Sequence, residues 1–110
     1  MPRPRKLRLV QGGPMSNVFK PKGIPGSDLE EVIISLEGFE AIRLIDFEKM
    51  DQGAAAERMN VSRQTFGRIL SNARGLIAEA LVKGKMIRIH GGDYVLPGER
   101  GFKRRRRGRI

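Results

Sequence analysis

Apolar residues recur at intervals of three and four, without a gap, from Phe66 through Ile69, Leu70, Ala73, Leu76, Ile77 and Ala80 to Leu81. That spacing lays a stripe along one side of a helix and is the cleanest periodicity in the chain. Ser62 stands in front of it as an N-cap, and Gly84 after Lys83 supplies a stop. Gly75 falls on the opposite face and costs about 1 kcal/mol relative to alanine, enough to bend the helix or end it early. Upstream, Ser35 precedes Leu36, Phe39, Ala41, Ile42, Leu44, Ile45 and Phe47, which predicts a support helix over 36–48. Between the two, a short helix is expected to start at Gln52 under an Asp51 cap. Small Ala56 would let it approach its partner, and Asn60 tolerates the left-handed backbone of a tight turn. Ala55, Met59, Val61, Phe66 and Ile69 then point inward.

Strand signals are shorter. The first 30 residues are broken by Pro2, Pro4, Pro14, Pro21 and Pro25 with glycines between, so they read as extended, with at most a strand over 7–10. Val32, Ile33 and Ile34 are β-branched and could pair. Residues 86–90 and 93–96 flank Gly91-Gly92, which predicts a β-hairpin that pairs with 7–10, with 32–34 or with another subunit. The expected fold is mainly α: a helix-turn-helix core with an extended N-terminal segment and a C-terminal β-hairpin. Its divisions are a Pro/Gly-rich basic arm over 1–30, the helical domain over 31–96, and an Arg-rich tail over 97–110 that lacks the apolar content to fold.

Two short capped helices joined at a polar turn also describe an ordinary helical hairpin. The outward residues favour DNA. Arg63, Gln64, Gly67 and Arg68 face away from the stripe, and Arg and Gln can each make bidentate contacts to base edges, Arg to guanine and Gln to adenine. Ser62, Thr65 and Arg74 are the candidates for phosphate. The formal net charge of +10 supports this, and it lies wholly at the ends. Arg3, Arg5, Lys6 and Arg8 open the chain, and Arg100, Lys103, Arg104, Arg105, Arg106, Arg107 and Arg109 oppose only Glu99 near the other end. The first group would suit a narrow minor groove, and the run from Lys103 to Arg107 with Arg109 would grip phosphates without reading sequence. The balanced middle is polarised: acids dominate 28–57 and bases dominate 58–88. A polyanion is drawn to the second and repelled by the first.

Other chemistries find little support. There is no cysteine and a single histidine, His90, so a structural zinc site is not expected. No phosphate loop, nucleophile arrangement or metal-ligand spacing occurs, and neither an enzyme nor a cofactor is expected. No apolar run approaches the roughly 20 residues of a membrane span.

A family resemblance rests on blocks in order: Pro-Arg-Pro-Arg-Lys at 2–6, Phe19-Lys20-Pro21 with Gly23-Ile24-Pro25, Glu40-Ala41-Ile42-Arg43-Leu44, and Ala55-Ala56-Glu57-Arg58-Met59. Val61-Ser62-Arg63-Gln64-Thr65-Phe66, Arg68-Ile69-Leu70, Ala73-Arg74, Ala80-Leu81 with Lys83-Gly84-Lys85, and Ile87-Arg88-Ile89 with Gly91-Gly92 follow. Together, over roughly residues 2–95, the chain resembles a small prokaryotic family of uncharacterised, predicted DNA-binding proteins. The resemblance implies a helix-turn-helix similar to that of region four of bacterial sigma factors. The chain departs from that pattern at Gly53, where an acid is common, at Asn60 in place of the turn glycine, and at Gly75. Some relatives carry cysteines near the N-terminus, where Leu7 and Val10 stand here, and some carry a C-terminal domain like those of nitrogenase cofactor assembly proteins, where this chain has its basic tail.

The leading expectation is a sequence-specific double-stranded DNA-binding protein, a transcriptional regulator of the cytoplasm and nucleoid. Homodimerisation is expected because one reading helix buries little surface. RNA polymerase is a further candidate partner, through the acidic residues of 28–57. The alternative is an RNA-binding or ribosome-associated protein that uses its Arg-rich tails.

Overall fold

The structure, a computed structural model, describes residues 7–96. The chain enters as a two-residue strand, β1 (Arg8–Leu9), and continues through β2 (Val18–Phe19) and a 3-10 turn at Gly26–Asp28 to β3 (Glu31–Ile34). In β3 the alternation of exposed and buried residues turns Val32 and Ile34 inward. The Ser35 hydroxyl then accepts the Gly38 N–H at 3.1 Å and starts α1 (Leu36–Ile42).

The expected support helix is present as one helical run, but its hydrogen bonding changes. After Ile42 it continues as a π-helical turn, Arg43–Phe47, in which the Glu48 N–H reaches back five residues to the Arg43 carbonyl at 2.8 Å. Lys49 at φ 65° ends the run. The Asp51 carboxylate accepts the Ala54 N–H at 2.8 Å and caps α2 (Gln52–Arg58). Asn60 takes φ 61°, which lets the Val61 N–H return to the Ala56 carbonyl at 3.0 Å. Ser62 caps α3 (Arg63–Lys83) by accepting the Thr65 N–H at 3.0 Å. This 21-residue helix passes through Gly75 unbroken and stops at Gly84, which is left-handed at φ 67°.

The three helices close on one apolar cluster of Ala41, Leu44, Ala55, Ala56, Met59, Phe66 and Leu70. Where α1 crosses α3, a Cβ on Gly38 would lie 3.2 Å from that of Ala73, so the glycine sets how closely the helices approach. A second cluster, Val10, Leu36, Ile89 and Tyr94, joins the sheets to α1.

The C-terminal hairpin does not form. Gly91 and Gly92 do turn the chain, at φ 75° and 115°, between β4 (Met86–Ile89) and β5 (Tyr94–Val95). Both edges of β4 are already occupied, by β2 antiparallel and by β3 parallel, so β5 pairs instead with β1. The expected partners at 32–34 and 7–10 are therefore used, one for each strand. The fold is a helical core with two small sheets. The N-terminal segment belongs to it from Leu7 onward: Val10 is fully buried, and the Leu9 N–H donates to the Met59 carbonyl at 3.0 Å.

Candidate nucleic-acid interface

The first turns of α2 and α3 lie side by side. A Cβ on Gly53 would lie 3.9 Å from Arg63 Nε, and one on Gly67 would lie 4.0 Å from Gln52 Oε1. Arg63, Gln64 and Arg68 are exposed along the first half of α3, with Gly67 half-buried among them. Among the described residues Arg63 and Arg68 make no ion pair. Gln52 therefore belongs to this surface, although the sequence suggested only that it opens a helix.

The three phosphate candidates are placed differently. Ser62 accepts the Thr65 N–H and donates its own proton to Thr65 Oγ1 at 3.0 Å, so both hydroxyls are engaged in the cap. Arg74 lies about 16 Å further along the axis than Arg63. Its guanidinium donates twice to Asp46, at 2.7 and 3.2 Å, and that contact holds the Asp46 carboxyl below its usual range. Arg74 thus ties α3 to the π-helical turn and would have to leave Asp46 to reach a phosphate. Arg3, Arg5, Lys6, Lys103, Arg104, Arg105, Arg106, Arg107 and Arg109 lie outside the described residues.

Arg8 is not part of a free arm. It stands in the wall of a cleft of about 590 Å³ beside α3, with Thr65, Arg68, Ile69 and Asn72 on the helical side and Ser35, Glu37, Gly92 and Asp93 opposite. The acidic stretch is also less of a surface than its composition suggests. Glu37 and Glu40 are buried. Asp46 and Glu48 are paired with Arg74 and Arg43, and Glu30 and Glu31 with Lys85 and Arg88.

Burial pushes the Glu37 carboxyl above its ordinary range, against the lowering effect of hydrogen bonds and of nearby Arg8. The folded protein therefore holds this proton more tightly than the unfolded chain. The associated stability is complete below the unfolded value and is lost as pH rises through the folded one. Glu37→Gln, neutral throughout, should gain stability relative to the natural chain as pH increases from 4 to 8. Denaturant melts at both pH values would show this, and parallel pH dependence in the two proteins would exclude it.

No helix among the described residues is long and apolar enough to cross a membrane. A family model described as "Protein of unknown function DUF134" matches residues 1–97. The chain is 54% identical over 99 residues to a UPF0251 protein of Caldanaerobacter subterraneus subsp. tengcongensis, covering 90% of this chain and 84% of that one. It is 49% identical over 110 residues to a UPF0251 protein of Thermoanaerobacter pseudethanolicus, covering 96% and 93%. A UPF0251 protein of Pelotomaculum thermopropionicum is 51% identical over 96 residues, covering 87% and 73%. No solved structure matches.

Proposed function

Because the chain belongs to the DUF134 family of proteins of unknown function, we propose a role from its own surfaces: α2, the Asn60 turn and α3 form a helix-turn-helix that reads double-stranded DNA. The carrying observation is the pair of capped helices whose adjoining N-terminal ends present Gln52, Arg63 and Gln64, with Arg68 one turn on along α3. A helix carrying such groups on its N-terminal half enters the major groove, where Arg and Gln discriminate bases. The half-buried Gly67 leaves the backbone bare at the centre of that set, so a base edge can come close. Thr65, which accepts from Ser62 and keeps its own hydroxyl proton, takes the flanking phosphate at the helix N-terminus, to which the first-turn N–H groups are also directed, and Ser62 joins it only by releasing Thr65.

In this reading the protein is a transcriptional regulator of the sigma-region-four-like type, acts as a homodimer on paired half-sites, and works at the nucleoid. The basic segments at the two ends add sequence-independent grip on phosphates. RNA polymerase is the less favoured partner, since most of the acids that would face it are buried or already paired.

Selection of bound duplexes from a random pool, at low and at physiological salt, tests the proposal. An enriched motif that survives physiological salt is expected, with half-sites about 10 base pairs apart if the dimer is symmetric. Binding without a motif that collapses with salt would reject it and favour the RNA-binding reading.

A further inference from the structure

Among the described residues, only three buried side-chain nitrogen or oxygen atoms lack a hydrogen-bond partner: Arg8 Nε, Arg8 Nη1 and Glu37 Oε1. Both residues line the 590 Å³ cleft beside α3. Buried polar groups in folded proteins are nearly always satisfied, so an unpaired donor set and an unpaired acceptor on one cleft call for a physical reason. Among the described residues the nearest carboxylate to Arg8 is that of Asp93 at 3.8 Å, an ion pair beyond hydrogen-bond reach. Glu37 uses its other oxygen to accept the Asp93 N–H at 3.3 Å.

We propose that this cleft binds a small zwitterionic metabolite of the α-amino-acid type, its carboxylate toward Arg8 and Arg68 and its ammonium toward Glu37 and Asp93.

The lining carries both signs of charge, neutral hydrogen-bonding groups from Thr65 and Asn72, and an apolar patch from Ile69. A cleft of this size lies within the range of about 300–1,000 Å³ typical of small-ligand sites. A ligand of one sign would answer only half of this wall. A DNA phosphodiester in particular would meet two carboxylates there. The unpaired atoms are covered in the free form, so the ligand engages them by turning the terminal torsions of Arg8 and Glu37. Gly92 belongs to the same construction. Its φ of 115° suits glycine, and a Cβ there would run into Glu37 Oε1. Any side chain at 92 would displace the carboxylate.

Arg68 stands in both the cleft and the proposed reading surface. A carboxylate held by Arg68 withdraws it from a base edge, which makes the ligand an effector that weakens DNA binding. That regulatory consequence rests on the DNA-reading proposal, whereas the binding itself does not.

Isothermal titration of the full chain with each of the twenty amino acids, without DNA, tests the site. At least one should bind, and its decarboxylated amine and its deaminated acid should each bind at least about tenfold more weakly, as loss of a charge-assisted contact entails. Arg68→Gln and Glu37→Gln should each weaken it by a similar factor. Because Arg68 is exposed, its variant should keep the unfolding temperature of the natural chain. The site is rejected if none of the twenty binds at millimolar concentration, if the variants bind unchanged, or if acetate or inorganic phosphate binds as tightly as the amino acid. Amino-acid binding with no selected DNA motif would retain the site and remove the DNA reading. A selected motif with no amino-acid binding would do the reverse. Should Arg8→Gln weaken DNA binding while no amino acid binds, the cleft belongs to the DNA interface and the proposal falls.

Discussion

Arg43→Ala is expected to lower the unfolding free energy by about 2–3 kcal/mol, because it strips the charged partner from a buried carboxylate while Arg43 itself, 26% exposed, lets water in. Glu40 is 0% exposed in the centre of the fold. Arg43 answers both of its oxygens, Nε to Oε1 at 2.8 Å and Nη2 to Oε2 at 2.9 Å. The Gln11 N–H, at 3.3 Å, is the remaining donor. Without the guanidinium, a carboxylate stays in the interior with one long hydrogen bond. Arg74→Ala is the natural control, since Arg74 and Asp46 are about half exposed and such pairs contribute at most about 1 kcal/mol. Urea melts of the two variants should differ severalfold in effect. Equal losses would mean that burial of Glu40 adds nothing to the strength of its pair with Arg43. The double replacement Glu40→Leu with Arg43→Met should recover much of the loss, because it removes both charges together.

The second large effect concerns the proposed reading surface. Each bidentate Arg–guanine contact contributes about 1–3 kcal/mol of base discrimination. Arg63→Ala with Arg68→Ala should therefore reduce affinity for the selected site on the order of a hundredfold or more, while random duplex is bound almost as before. The salt dependence should change little, since in the proposed reading the basic ends still neutralise phosphate. Footprinting separates the outcomes. A double variant that protects the same site as the natural chain would show that other residues read the bases.

The parts of the fold legible in the sequence are those set by neighbouring residues. Ser35, Asp51 and Ser62 each cap the helix they precede, Asn60 adopts the positive φ its turn needs, and Gly84 ends α3. In each case the reason is local: a side-chain oxygen two or three positions from an orphan N–H, or a residue that tolerates the left-handed backbone. The strand segments at 7–10, 32–34, 86–90 and 93–96 were legible, but which strand pairs with which was not. Glu31 pairs with Met86 and Arg8 with Tyr94, and nothing near Gly91-Gly92 reveals that both edges of β4 are already filled. The π-helical turn has no signature in its residue types. Glu37 and Glu40 counted as surface charge because composition does not show burial, although Arg43 three residues after Glu40 was a readable hint. At the candidate interface, Arg63, Gln64 and Arg68 followed from helical periodicity. Gln52 needed the packing of α2 beside α3, and Asn72 the cleft that α3 forms with the 91–93 turn.

The two ladders also govern when the fold can close. The β1–β5 pairing joins residue 8 to residue 94 and the β3–β4 pairing joins residue 31 to residue 86, so each encloses most of the described chain. Closing such long loops is entropically slow compared with winding helices. On the ribosome α1 and α2 are synthesised well before β4, which follows α3 within three residues, and β1 waits for its neighbour until Tyr94 and Val95 have been added. Truncation ahead of Tyr94 would therefore strand β1, and it would take the Tyr94 ring out of the cluster that buries Val10.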